Sequence, residues 1–81
     1  MIELKGIHHL EHIIEHLPDS VTPRFIVWFY DEKGIKQDTK NFYKLNEVIN
    51  FINDDKLKDC GYIQKIFFDQ KTNIVFIEYK K

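Results

Sequence analysis

The order of apolar patterns along the chain constrains the fold more than any other feature of the sequence. From residue 7 to residue 17, apolar side chains recur every three or four positions, which is the period of a helix, and Pro18 ends the pattern. Residues 25–30 form a continuous run of aromatic and β-branched side chains, which favours a strand. The turn sequence of residues 31–34 leads into a second strand over 35–43. The first half is therefore predicted to form a helix and a hairpin.

The second half of the chain repeats this order. Residues 45–54 carry a second helical stripe, and two further strand-like segments cover 62–69 and 74–79. A chain of 81 residues suits one domain, so we predict a single α+β domain over residues 1–81. The element order αββαββ predicts a four-stranded, mainly antiparallel sheet with both helices on one face.

The two halves also resemble each other in sequence. The pentapeptide FYDEK at 29–33 has a counterpart in FFDQK at 67–71, and the helical stripes align in the same frame. The match is consistent with an internal duplication of an αββ unit, comprising residues 7–43 and 45–81. It is equally what any two amphipathic αββ units would show, so both explanations stay open.

Strand pairing in each hairpin predicts which side chains face the helices. In the first hairpin, pairing Asp31 with Ile35 places charged residues of the second strand opposite Trp28 and Tyr30, on the side away from the helices. In the second hairpin, pairing Asp69 with Ile74 makes Lys65 and Glu78 cross-strand partners. The predicted helix-facing residues are Phe25, Val27, Phe29, Ile35, Ile66, Phe68, Val75 and Ile77.

Five large apolar side chains are left on the opposite side of the predicted sheet. Two short helices cannot cover both faces, so these residues are expected to form an exposed apolar patch, which usually marks a binding surface. The alternative is that the aliphatic stems of Lys36, Lys40 and Lys65 cover scattered aromatic rings and that no partner exists. The candidate partner-binding residues are Ile26, Trp28, Tyr30, Phe67 and Phe76.

The first helix contains the segment HHLEHIIEH at residues 8–16. Its letters from His12 to His16 match H-x-x-E-H, the zinc-binding motif of a class of metallopeptidases. The histidines lie opposite the apolar stripe, however, and face water without an evident third ligand or cleft. We therefore expect no catalytic residues and no metal centre. Weak metal binding through the first-helix histidines is kept as a third interpretation.

Composition argues against several classes of function. The formal charge is −1 and Arg24 is the only arginine, so a protein devoted to phosphate backbones is not indicated. There is no Gly-rich phosphate loop, and we expect no cofactor. With a single cysteine, Cys60, no internal disulfide can form, which suits a reducing compartment. Without a signal-peptide pattern or a long apolar run, the expected location is cytoplasmic, with no membrane partner.

Together these features predict a non-catalytic protein-binding module. Its partner would be a host protein, as for a small bacterial or phage accessory or inhibitor protein, or a second copy of the chain in a homo-oligomer. The main alternative is a single-stranded nucleic-acid binder, in which the same aromatic residues stack bases beside Lys36, Lys40 and Lys65. Nucleic acid is the less favoured partner because the chain has no basic excess.

Overall fold

The computed structural model describes residues 1–53 and 61–80. In this part of the chain the element order is βαββαββ. The elements are β1 (Ile2–Leu4), α1 (Ile7–Glu15), β2 (Arg24–Tyr30), β3 (Lys36–Phe42), α2 (Leu45–Ile52), β4 (Tyr62–Asp69) and β5 (Ile74–Lys80).

The α+β class is confirmed, but the prediction of four strands in the order αββαββ is wrong. The described residues form a five-stranded sheet in the order β1-β4-β5-β2-β3. The additional strand, β1, lies antiparallel to β4, with Ile2 opposite Phe68 and Leu4 opposite Ile66. Its three residues are too few for an alternating pattern to show in the sequence.

The two predicted hairpins lie side by side through a parallel contact between β2 and β5. Phe25 is opposite Val75 and Val27 is opposite Ile77, so the strands at the centre of the sheet come from opposite halves of the chain. β1 runs in the same direction as β2, and α1 connects them as a crossover helix. The other neighbouring pairs in the sheet are antiparallel.

The second hairpin has the predicted register, with Asp69 opposite Ile74 and Lys65 opposite Glu78. The first hairpin has the predicted register only next to the turn, where the Asp31 N–H donates to the Ile35 carbonyl and Tyr30 lies opposite Lys36. A β-bulge between Phe29 and Tyr30 shifts the rest of the pairing of β2 and β3. Beyond the bulge, Trp28 lies opposite Thr39 instead of Asp38.

Polar contacts of Asp31 accompany the bulge. Its Oδ1 accepts hydrogen bonds from the backbone N–H groups of Lys33 and Ile35, and its Oδ2 accepts one from Gln37 Nε2 at 3.0 Å. Gly34 has a φ of 82°, which glycine adopts readily. Ile35 therefore belongs to the turn and is 57% exposed, so its predicted position against the helices is wrong.

The core lies between the sheet and the two helices. Leu10 of α1 and Val48 of α2 are fully buried in one cluster with side chains from the sheet, so both helices pack on the same face. The other predicted helix-facing residues agree with this arrangement, although Phe29 is only partly buried. The buried cluster is Leu4, Leu10, Phe25, Val27, Val48, Ile66, Phe68, Val75, Ile77 and Tyr79.

Gly61 precedes β4 and packs directly against the last strand. A Cβ atom at this position would lie 2.5 Å from the Lys80 carbonyl oxygen and 2.5 Å from Tyr79 Cε1. The added methyl group would force the Lys80 backbone and the buried Tyr79 ring to move, so we expect Gly61→Ala to lower the free energy of unfolding by about 1–3 kcal/mol. Urea denaturation measures this change. Asn50→Ala, on the exposed side of α2, is the control, and equal losses for the two variants would contradict the packing of Gly61.

Candidate functional site

The face of the sheet away from the helices, here called the outer face, carries a row of apolar side chains. Phe67 of β4 is opposite Phe76 of β5, and Phe76 is opposite Ile26 of β2. Residues that lie opposite each other on neighbouring strands project to the same side of a sheet. The row therefore crosses three adjacent strands without interruption.

Trp28 and Tyr30 continue this row along β2. The ring centroids of Trp28 and Phe76 are 5.1 Å apart, with an angle of 38° between the ring planes. Tyr30 lies between Lys36 of β3 and Lys80 of β5. The fold thus brings all five sequence-predicted residues to one face, where they are half-buried. We call Ile26, Trp28, Tyr30, Phe67 and Phe76 the apolar patch.

Ile74 extends the apolar patch, although the sequence reasoning did not select it. It is half-buried, and it lies on the outer face because the next residue, Val75, is fully buried on the other side. The alternation of side chains along β5 in the sequence already indicates that Ile74 faces away from the helices. Its position beside Arg24, however, depends on the parallel pairing of β2 and β5.

Neither helix covers the apolar patch. The buried side chains of α1 and α2 belong to the cluster on the opposite face, and the patch residues are not members of that cluster. Each patch residue has neighbours on adjacent strands, which contribute to its partial burial. Large apolar groups thus remain accessible on a sheet that is already stabilised from its other side.

The outer face carries two pairs of like-charged side chains. Lys36 and Lys80 flank Tyr30, where β2 and β5 end. Glu3 of the edge strand β1 lies opposite Phe67, and Asp69 ends β4. Glu3 and Asp69 lie towards one corner of the sheet. Lys36 lies at the diagonally opposite corner, and Lys80 lies two strands away from it, at the same end of the central strand β5. We call Lys36 and Lys80 the basic corner, and Glu3 and Asp69 the acidic corner.

Asp69 contributes a negative charge that persists to low pH. The Lys71 backbone N–H donates a hydrogen bond to Asp69 Oδ1 at 3.0 Å. This bond, together with one from the Thr72 side chain, holds the pKa of the Asp69 carboxyl below its usual value. Asp69 is therefore ionised at neutral pH.

The remaining outer-face charges are paired or lie at the margin. Lys65 is opposite Glu78, which makes this part of the face nearly neutral. Arg24 lies at the start of β2, beside Ile74. The face as a whole carries both signs of charge around an apolar centre.

The lysines differ in their relation to the aromatic rings. Lys36 Nζ lies 5.1 Å from the centroid of the Trp28 ring, a cation–π contact that covers one face of the indole. Lys40 was expected on the same face, but the bulge places it opposite the buried Val27, so it projects to the other side. Its ammonium is 3.9 Å from Asp38 Oδ2. The prediction that Lys40 accompanies the aromatic residues is therefore wrong.

The four histidines of residues 8–16 form a separate group, in which His8, His12 and His16 are exposed and His9 is half-buried. The His12 and His16 ring centroids are 4.3 Å apart, and His8 Nδ1 is 3.8 Å from Glu11 Oε2. His9 Nδ1 accepts a hydrogen bond from the Lys5 backbone N–H at 3.1 Å. Across residues 1–53 and 61–80, no three His, Cys, Asp or Glu side chains converge as a metal site would require. Cys60, the single thiol, lies outside the described residues.

Within the described ranges, no helix is both long and apolar enough to span a bilayer. Comparisons of the chain with protein-family models, with curated proteins and with solved structures found no match.

Proposed function

We propose that this chain is a non-catalytic protein-docking module and that it binds another protein surface through the outer face. The observation that carries the proposal is the continuous apolar patch on a sheet whose helices pack on the other side. Burying such a patch removes apolar area from water, which is the main favourable contribution to protein association. Its Trp and Tyr side chains are the types most enriched among binding hot spots.

The mixed charges of the outer face favour a protein partner over a nucleic acid. Glu3, Asp69 and Glu78 lie on the same face as the lysines and would repel a phosphate backbone. The Lys36 ammonium already occupies one face of the Trp28 ring, so a base would have to displace it in order to stack there. A protein surface can match both signs of charge around the apolar centre.

Replacing Trp28 by lysine is expected to abolish partner binding while leaving the fold intact. The substitution removes a half-buried indole from the patch and places a second cation beside Lys36. The immobilised wild-type chain and the variant are incubated with cell lysate and with free chain. Mass spectrometry then identifies proteins that the wild type retains and the variant loses, including the chain itself.

Glu47→Lys on the exposed surface of α2 is the matched control, because it also introduces a lysine but leaves the outer face unchanged. It should retain the same proteins as the wild type. The proposal fails if no protein separates the wild type from Trp28→Lys. It also fails if nucleic acid alone is retained, with an affinity that falls steeply with salt.

A further inference from the structure

We infer that the partner covering the apolar patch is a second copy of this chain, docked outer face to outer face around a twofold axis. This inference rests on the proposed function of the outer face and names its occupant. It is carried by the arrangement of charge around the patch, which is complementary to itself.

The basic and acidic corners lie at opposite ends of one diagonal of the sheet. A twofold axis that lies between two copies, along the other diagonal, places the acidic corner of each copy on the basic corner of its partner. Glu3 and Asp69 then face Lys80 and Lys36 twice, once on each side of the dimer. The contact between an acidic corner and a basic corner therefore occurs twice in the dimer, once in each direction between the two copies, as a twofold interface requires.

The same axis makes the strands of the two sheets cross at about 90°, which is one of the two preferred ways for sheets to pack face to face. The apolar patch surrounds the centre of the face, so the patch of one copy lies on that of the other. Phe76 and Trp28, already in contact within each copy, lie near the axis.

Sheet twist favours contact at these particular corners. Parallel crossovers are right-handed, so when β1 and β2 run downwards and the outer face is towards the viewer, β1 is the left edge. The acidic corner is then at the upper left and the basic corner at the lower right. The fixed hand of sheet twist brings these two corners forward, towards a partner, and moves the other two back.

The like charges that the axis brings closest do not oppose the dimer strongly. Lys65 lies at one receding corner, where its opposite neighbour Glu78 offsets its charge. Arg24 lies at the other receding corner, where the sheets diverge. Lys65 and Arg24 each lie closest to the same residue of the other copy, and the repulsion between these like charges is weak for the two reasons just given.

The size of the face predicts a reversible dimer. The five strands lie about 4.8 Å apart, and all except the three-residue β1 are seven or eight residues long, so the face presents at most roughly 20 Å by 23 Å to a partner. This is small beside the roughly 800 Å² per partner of a standard stable interface. Dissociation is therefore expected in the micromolar range or above, and measurements should cover about 10 μM to 1 mM.

Charge reversal at the two corners tests the inference. Glu3→Lys places a lysine in the acidic corner, and Lys80→Glu places a glutamate in the basic corner. Each variant alone should associate about tenfold more weakly than the wild type, because the contact between positions 3 and 80 becomes repulsive on both sides of the dimer. Sedimentation equilibrium measures the dissociation constant, and circular dichroism checks that both variants remain folded.

An equimolar mixture of the two variants should recover association. In the mixed dimer, the lysine introduced at position 3 of one chain faces the glutamate introduced at position 80 of the other. On the other side of the axis, the unchanged Lys80 of the first chain faces the unchanged Glu3 of the second. An interface that does not bring positions 3 and 80 together does not predict this recovery.

The matched controls for the two variants are Glu47→Lys and Lys44→Glu. They make the same charge changes on exposed positions of α2 and its N-cap, away from the outer face. Both should therefore dimerise like the wild type.

The outcomes separate this inference from the proposed function. A wild-type chain that stays monomeric up to about 1 mM, the upper end of the range set above, overturns the dimer, while the docking function stands if Trp28→Lys still loses a captured protein. Equal association of the single variants and the wild type, or a mixture no tighter than either variant, overturns the diagonal pairing. A dimer that persists unchanged in Trp28→Lys shows that another surface mediates it and overturns the dimer inference, while the docking function again depends on whether Trp28→Lys loses a captured protein.

Discussion

Replacing Leu10 by alanine is expected to lower the free energy of unfolding by about 2–5 kcal/mol. Leu10 is the fully buried residue of α1, and it joins that helix to the core of the sheet. Truncation removes apolar contacts and leaves a cavity that the surrounding residues can fill only in part. Urea denaturation followed by circular dichroism measures the loss.

His12→Ala, two positions along the same helix, is the matched comparison. His12 is exposed, and alanine has the higher helix propensity, so this variant should unfold within about 0.5 kcal/mol of the wild type or slightly above it. A large loss for His12→Ala, or none for Leu10→Ala, would contradict the orientation of α1. The pair separates the two layers of HHLEHIIEH, in which the apolar residues dock the helix and the histidines face water.

Replacing Ile77 by aspartate is expected to prevent stable folding. Ile77 is fully buried in the core on β5, between Val27 of β2 and Ile66 of β4. A carboxylate there would have no charged partner, and its desolvation costs several kcal/mol. That cost is comparable to the total stability of about 4–12 kcal/mol expected for a domain of this size. Loss of dispersion in the proton–nitrogen NMR spectrum would report the unfolding.

The neighbouring substitution Phe76→Asp should leave the domain folded. Phe76 lies on the outer face and is half-buried, so its carboxylate can reach water. The expected loss is about 1–2 kcal/mol, from the apolar contacts with Trp28 and Ile26. If Phe76→Asp unfolds the chain and Ile77→Asp does not, the two faces of the sheet have been assigned the wrong way round.

Local sequence features predicted the faces of most strands correctly. Alternation along β5 assigned Val75 and Ile77 to the core, and the turn after Asp69 set the second register. These properties depend on residues close together in the chain, where period and turn chemistry leave few alternatives. Alternation along β2, β4 and β5 also placed the members of the apolar patch on one face.

The errors arose where a side chain or a distant segment changed the pairing. The hydrogen bond from Gln37 to Asp31 accompanies the bulge that moves Lys40 to the inner face. Such a contact has no signature in a periodic pattern, and one residue of shift reverses the side on which each later residue projects. β1 was missed because it is a strand only through its pairing with β4.

The sequence by itself determined the α+β class, the two amphipathic helices, the two hairpins and the apolar residues left without a helix to cover them. Only the tertiary structure decided that β2 and β5 pair in parallel, which joins Ile26 to Phe76 and makes one patch out of two hairpins. It also decided that the basic and acidic corners lie on one diagonal. The physical reason is that helix period and turn geometry arise from neighbouring residues, whereas strand order reflects the competition among many pairings of distant segments.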